Sequence, residues 1–256
     1  MIAFFVQLGG WLTGKLSRLG RSTLFFLEAL WCCVTPPLKW ARVVRQIWFI
    51  GWKSLPVILL TGLFAGMVLG LQGVQVLRMV GSDAFVGPLV ALAMIRELGP
   101  VLAALMVTGR AGSSITAQIG IMRTNDQIDA LELMGLNPLR YLVAPNLLAM
   151  LVAVPLLTAV FDLTAIGGGY LAAVRVMGLN ASTYFGEMQQ SVVFRDVWLY
   201  MLKAMSFGGI IAWVCCYKGY FSGFGAEGVS IATTEAVVNA SVLVLVCNYL
   251  FTSLFA

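Results

Sequence analysis

Arg96 and Glu97 stand side by side in the run Phe85–Val107, where every other residue is uncharged. A charged side chain at the centre of a bilayer costs roughly 3 kcal/mol on insertion scales, so such a pair faces protein or a polar cavity rather than acyl chains. The doublet suits handling of polar groups inside a membrane, and it marks a candidate transport path. It is followed at once by Leu98-Gly99-Pro100, where proline withdraws a backbone donor and predicts a kink beside the carboxylate. Glu97 then either pairs with a cation on a neighbouring helix or lines a chamber that meets a headgroup or water. Asp162 and Lys203 are the other isolated charges in apolar surroundings, and an ion pair between them is possible. No acid/base constellation accompanies them, so no catalytic residue is assigned.

The elements that must position these groups are transmembrane helices. Hydrophobic residues make up 60% of the 256 and charged residues 11%, with a mean hydropathy of +0.94. A soluble domain has about 25% charged residues. Spans of about 20 apolar residues are expected at Leu55–Val80, Phe85–Val107, Leu147–Val174, Val197–Tyr217 and Ala236–Ala256. The fold class is therefore all-α and polytopic, with five transmembrane helices and an N-terminal interfacial helix. Residues 1–54 form the N-terminal cytoplasmic and interfacial region, and residues 55–256 the five-helix membrane domain. Thr23–Val34, with Glu28 and the Pro36-Pro37 stop, is too short to cross and reads as interfacial or re-entrant. Leu38–Ser54 interleaves Lys39, Arg42, Arg45 and Lys53 with Trp40, Trp48, Phe49 and Trp52, as suits a helix at headgroup level. Nucleic acid is the poorer reading of those charges, and none is expected as a partner.

A cytoplasmic N-terminus places eleven of the sixteen basic residues inside, which satisfies the positive-inside rule and leaves the C-terminus on the far side. Met1–Leu8 has no basic leader, so a retained N-terminus is expected. The five cysteines lack metal-ligand spacing and the chain has no histidine, so neither a metal nor a redox role is expected.

Gly62, Gly66 and Gly70 form a small-residue stripe with Gly73 one turn beyond, read as helix packing or as a groove for an acyl chain. Between the second and third crossings the chain turns polar, and a short helix of about residues 124–135 is expected. Thr124 and Gln127 have the spacing of a capping box, and Gly135 with Asn137-Pro138 that of a stop. Asp126, Asp129 and Glu132 fall on one side of this helix, with Ile128, Leu131 and Met134 on another. An amphipathic helix joining two crossings suits docking in a groove of a soluble partner, or rest on the membrane surface. No Walker A sequence occurs, so any ATP, with its Mg, is bound by another subunit.

The block Arg96–Leu105, then Gly109–Ser113, Met122-Arg123, Gln127–Glu132 and Asn137–Tyr141, resembles the MlaE family, the ABC permeases that serve MCE proteins. Gly66–Gly73 extends the resemblance into the first crossing. It implies a homodimer in the bacterial inner membrane, working with an ABC ATPase subunit, a STAS-domain subunit and a periplasmic hexameric MCE protein. It implies transport of phospholipid that maintains outer-membrane lipid asymmetry, with a sterol or organic solvent as alternative cargo. It also implies that Leu69, Gln72, Val76, Leu77, Val80, Arg96 and Glu97 border the lipid. The helix bearing Asp126, Ile128, Asp129, Leu131 and Glu132 then couples to the ATPase. Val80 stands where some relatives carry an aromatic residue. The rival classes are an intramembrane aspartyl protease built on Asp162 and a passive scaffold.

Overall fold

In the computed structural model, residues 17, 20–33, 35, 40–79 and 81–255 are described, and among them the regular secondary structure is entirely helical. Val80, residues 1–16 and Lys39 lie outside the described residues. Helix α1 covers 20–33. The five crossings are α2 (Trp40–Met79), α3 (Val86–Thr124), α5 (Leu139–Val176), α7 (Phe194–Tyr220) and α8 (Gly225–Phe255). Two short helices join them: α4 (Gln127–Leu133) between α3 and α5, and α6 (Ala181–Ser191) between α5 and α7.

Helix α2 runs unbroken through Pro56 for 40 residues. At about 1.5 Å per residue it reaches roughly 60 Å, twice the hydrocarbon thickness. The division at residue 54/55 thus falls inside one helix, and the basic-aromatic segment continues the first crossing. Trp40, Trp48 and Trp52 are exposed on it, at four- and eight-residue spacings that place them on one face. Helix α1 packs on the C-terminal end of α7: Phe25 meets Tyr217, Tyr220 and Phe221, and Trp213 Nε1 donates to the carbonyl of Ser22 at 2.9 Å.

The glycine stripe is a packing surface. A Cβ at Gly66 would overlap the carbonyl of Ala165, one at Gly62 the Thr164 hydroxyl, and one at Gly70 would come 2.8 Å from the carbonyl of Gly169. On α5, Gly168 faces the carbonyl of Leu63 in the same way. Helices α2 and α5 therefore touch backbone to backbone, the geometry that small residues permit in membranes. The acyl-groove alternative fails at Gly62, Gly66 and Gly70, because α5 fills that space.

Helix α3 holds two π-helical turns, Met94–Leu98 and Thr108–Gly112. The first carries Arg96-Glu97 and ends just before Pro100, so the sequence-predicted kink takes the form of a widened turn. The second carries Arg110, whose Nη1 donates to the Phe49 carbonyl at 3.0 Å and lies 3.2 Å from Ser54 Oγ, tying α3 to α2.

The expected capping box at Thr124 does not form. Helix α3 continues through Thr124, whose hydroxyl donates to the Gly120 carbonyl, and the chain reverses through Asp126 at φ +54°. The polar stretch is thus split by a left-handed residue rather than opened by a threonine. Gly135 does act as the stop, at φ +73°, and Asn137 Oδ1 accepts from the Leu139 N–H at 2.9 Å to cap α5. Helix α6 has no counterpart among the elements expected from sequence. It is capped by Asn180, whose Oδ1 accepts from the Ser182 N–H, and anchored by the buried Tyr184, which donates to the Ile166 carbonyl.

Candidate functional site

The π turn of α3 brings Glu97 against α7 and α8. Its Oε1 accepts from Thr252 Oγ1 at 2.7 Å, and its Oε2 from Asn248 Nδ2 at 3.0 Å and from Lys203 Nζ at 3.2 Å. Three helices are therefore joined through one carboxylate. Pro100 has no N–H to offer the carbonyl four residues back, which is that of Arg96. Lys203 Nζ donates to that same oxygen at 3.0 Å. The ammonium thus serves both the ion pair and a carbonyl that an α-helix would have satisfied internally. Lys203 is buried, its side chain 7% exposed, while the Glu97 side chain is 40% exposed and opens outward.

Arg96 pairs through Nη2 with Asp196, nearer the start of α7, at 3.0 Å. Asp196 sits in the first turn of α7 and also accepts from the Val193 N–H at 3.4 Å. These groups line a cavity of about 740 Å³, completed by Leu92, Val193, Arg195, Leu199, Phe251 and Phe255. That volume lies in the range of small-molecule sites, about 300–1,000 Å³. Its lining combines charged, hydrogen-bonded groups with apolar and aromatic ones, which matches an amphiphile.

The predicted lipid residues separate into groups. Arg96 and Glu97 line the cavity; Gln72 and Val76 are exposed on α2; Leu69 and Leu77 are half-buried against the cluster of Val74, Val86, Val90 and Tyr184. Lys203, singled out from sequence only as an isolated charge, joins the cavity wall; Asp196, Arg195 and Thr252 line it unforeseen, and Asn248 stands behind them on Glu97. Asn248 and Thr252, one turn apart in the apolar C-terminal span, were the available signal.

Lys203 pairs with Glu97 and not with Asp162. Asp162 is buried, its Oδ1 has no hydrogen-bond partner, and it presses on Gly99, where a Cβ would overlap it. Removing a buried unpartnered polar group is stabilising when an apolar group fills the space. We expect Asp162→Val to raise stability in detergent by about 1–3 kcal/mol, measured by thermal unfolding. The Gly99→Ala variant should lose stability, and the Gly99→Ala/Asp162→Ala pair should recover part of it, since the Met94 carbonyl still lies 2.8 Å from that Cβ. Asp162 has no second carboxylate hydrogen-bonded to it among the described residues, while Glu97 is fully engaged elsewhere. A protease dyad is not assembled at this residue.

On the opposite end of the bundle, Ile128 and Leu131 of α4 are buried in the chain's own core. Arg123 pairs with Asp129, and Tyr220 donates to Glu132 Oε1 at 3.2 Å, fixing α4 against α3 and α7. Asp126 remains exposed at the start of α4, and the exposed apolar residues Leu133, Met134 and Leu136 lie at and beyond its other end. Cys33 is a structural thiol: burial and then neighbouring Cys32 push it up to about 11. No cluster of three metal-ligating side chains occurs among the described residues.

The family profile described as Permease MlaE matches residues 43–254. A probable ABC transporter permease protein of Rickettsia bellii is 43% identical, over 93% of this chain and 92% of its own length. The intermembrane phospholipid transport system permease protein MlaE of Haemophilus influenzae is 37% identical, over 99% and 98%. The chloroplastic protein TRIGALACTOSYLDIACYLGLYCEROL 1 of Arabidopsis thaliana is 32% identical, over 85% of this chain and 62% of its own.

Proposed function

This chain belongs to the MlaE permease family, and from that premise we propose that it moves phospholipid between the inner membrane and a periplasmic MCE protein, maintaining outer-membrane lipid asymmetry. The observation that carries the reading is Glu97, a half-exposed carboxylate held by Lys203, Thr252 and Asn248 on the wall of a cavity of about 740 Å³ lined by both charged and apolar residues. A group that costly at membrane depth makes sense where a polar headgroup must pass. The chain acts as a homodimer, in which the exposed Gln72 and Val76 of α2 meet lipid or the second copy. The N-terminus is cytoplasmic and the C-terminus periplasmic, so the cavity opens toward the periplasmic end. ATP and Mg are bound by an ABC ATPase subunit, with a STAS-domain subunit attached to it, and no covalent chemistry occurs in this chain.

Helix α4 carries the coupling. Because Ile128 and Leu131 brace it against its own bundle, the ATPase is met by its exposed ends, Leu133 and Met134 at one and Asp126 at the other. A braced lever transmits motion where a loose one would absorb it. The Leu133→Asp/Met134→Asp variant should weaken assembly with the ATPase by about 2 kcal/mol, roughly thirtyfold in affinity, without unfolding the permease. Titration of purified ATPase onto permease in nanodiscs checks this.

The experiment that tests the function is transfer of labelled phospholipid by the complex reconstituted in liposomes with ATP. We expect ATP-dependent transfer that Glu97→Ala abolishes. A passive scaffold would show no transfer by the unmodified complex, or transfer indifferent to Glu97.

A further inference from the structure

The cavity carries an unbalanced charge. Its wall holds three cations, Arg96, Arg195 and Lys203, against two carboxylates, Glu97 and Asp196. Each carboxylate is already engaged. Glu97 takes Lys203, Thr252 and Asn248, while Asp196 takes Arg96 and the Val193 N–H. Arg195, exposed in the first turn of α7 at the cavity's edge, has no carboxylate within ion-pair distance among the described residues. Arg96 reaches Asp196 through Nη2 and is 54% exposed, which leaves other guanidinium N–H groups free to serve a second anion.

Resting on the reading of this cavity as a lipid passage, the geometry points to selection by headgroup charge: Arg195, aided by Arg96, receives the phosphate of an anionic phospholipid. The guanidinium fork matches phosphate oxygens in a bidentate manner that an ammonium does not. A cationic headgroup meets carboxylates that already hold cations of the chain, Glu97 its Lys203 and Asp196 its Arg96. A zwitterionic lipid brings its own ammonium to a wall with surplus positive charge and forfeits part of the attraction. The apolar residues Leu92, Val193 and Phe251 distinguish a lipid from a free phosphate, since they need a hydrocarbon neighbour.

The test is competition in mixed micelles. The intact complex is given equal phosphatidylglycerol and phosphatidylcholine of identical acyl chains, and bound lipid is quantified by mass spectrometry after purification. We expect retention of phosphatidylglycerol over phosphatidylcholine by roughly fivefold at low salt, the scale of a partly exposed charge pair. R195Q should bring the ratio to about one, and R195K should restore part of it. R175Q, which removes an exposed arginine outside the cavity, should leave the ratio unchanged. Excess inorganic phosphate should not displace the lipid; displacement without acyl discrimination would make this a free-phosphate site and overturn the assignment. An unchanged ratio in R195Q would overturn it as well. Retention of both lipids equally by the wild type would sink this inference while leaving the permease reading intact, whereas retention of neither would sink both.

Discussion

Glu97→Ala is expected to destabilise the bundle by about 3–5 kcal/mol, because it leaves the ammonium of Lys203 buried without its counter-charge. The Asn248 amide loses its acceptor at the same time, while the Thr252 hydroxyl keeps the Asn248 carbonyl at 3.0 Å. The stability loss alone would not separate a lipid-handling role from a structural one. The pair Glu97→Gln/Lys203→Met does so. Removing both charges returns most of the lost stability, since a buried ion pair and an apolar replacement are often near equal. It should leave phospholipid transfer at background if the charge serves the passing headgroup. Chemical unfolding in detergent and transfer in liposomes, measured on the same two preparations, decide the matter. Transfer by the double variant at the wild-type rate would assign Glu97 to structure alone.

Gly66→Leu is expected to cost about 4 kcal/mol or more and to prevent accumulation of folded protein. A Cβ there already overlaps the carbonyl of Ala165, so the neighbour that must yield is backbone and not a flexible side chain. Helices α2 and α5 would have to part along their length, uncovering Gly62, Gly70, Gly168 and Gly169 together. Even Gly66→Ala should be disruptive, although the same exchange in an open helix position stabilises by about 0.5–1 kcal/mol. Gly167 lies on α5 with no neighbour within 4 Å of the point where a Cβ would stand, so Gly167→Ala serves as the control and should be neutral or slightly favourable. Expression yield and thermal unfolding of the three variants measure this.

The crossings were legible because apolar run length is a strong, local signal, and Glu97 because one carboxylate among apolar neighbours needs a reason. Helix ends were less legible. Once α3 is helical in the membrane nothing in Thr108–Thr124 halts it, so the helix runs on past the bilayer-length span. The partners of Glu97 were hidden for a different reason. Lys203 and Asp162 suggest a pair because both are isolated charges, but which charges meet depends on the rotation of each helix about its axis. Sequence spacing within a helix does not set that rotation; packing between helices does, here through the backbone contacts of α5 with α2 and, at Gly208, with α7. For α4 the apolar side suits a docking face, yet Ile128 and Leu131 turn inward because the left-handed Asp126 reverses the chain onto the bundle.

Photocrosslinking tests the central claim most directly. A photoreactive phenylalanine analogue placed at Leu92, Phe251 or Phe255 in the cavity, and at Val238 on the exposed face of α8 as a control, is illuminated in the assembled complex with labelled phospholipid during ATP turnover. The account predicts crosslinks at the three cavity positions that depend on ATP, against an ATP-independent background at Val238. Crosslinks at Val238 alone, with the cavity positions silent in every nucleotide state, would contradict it.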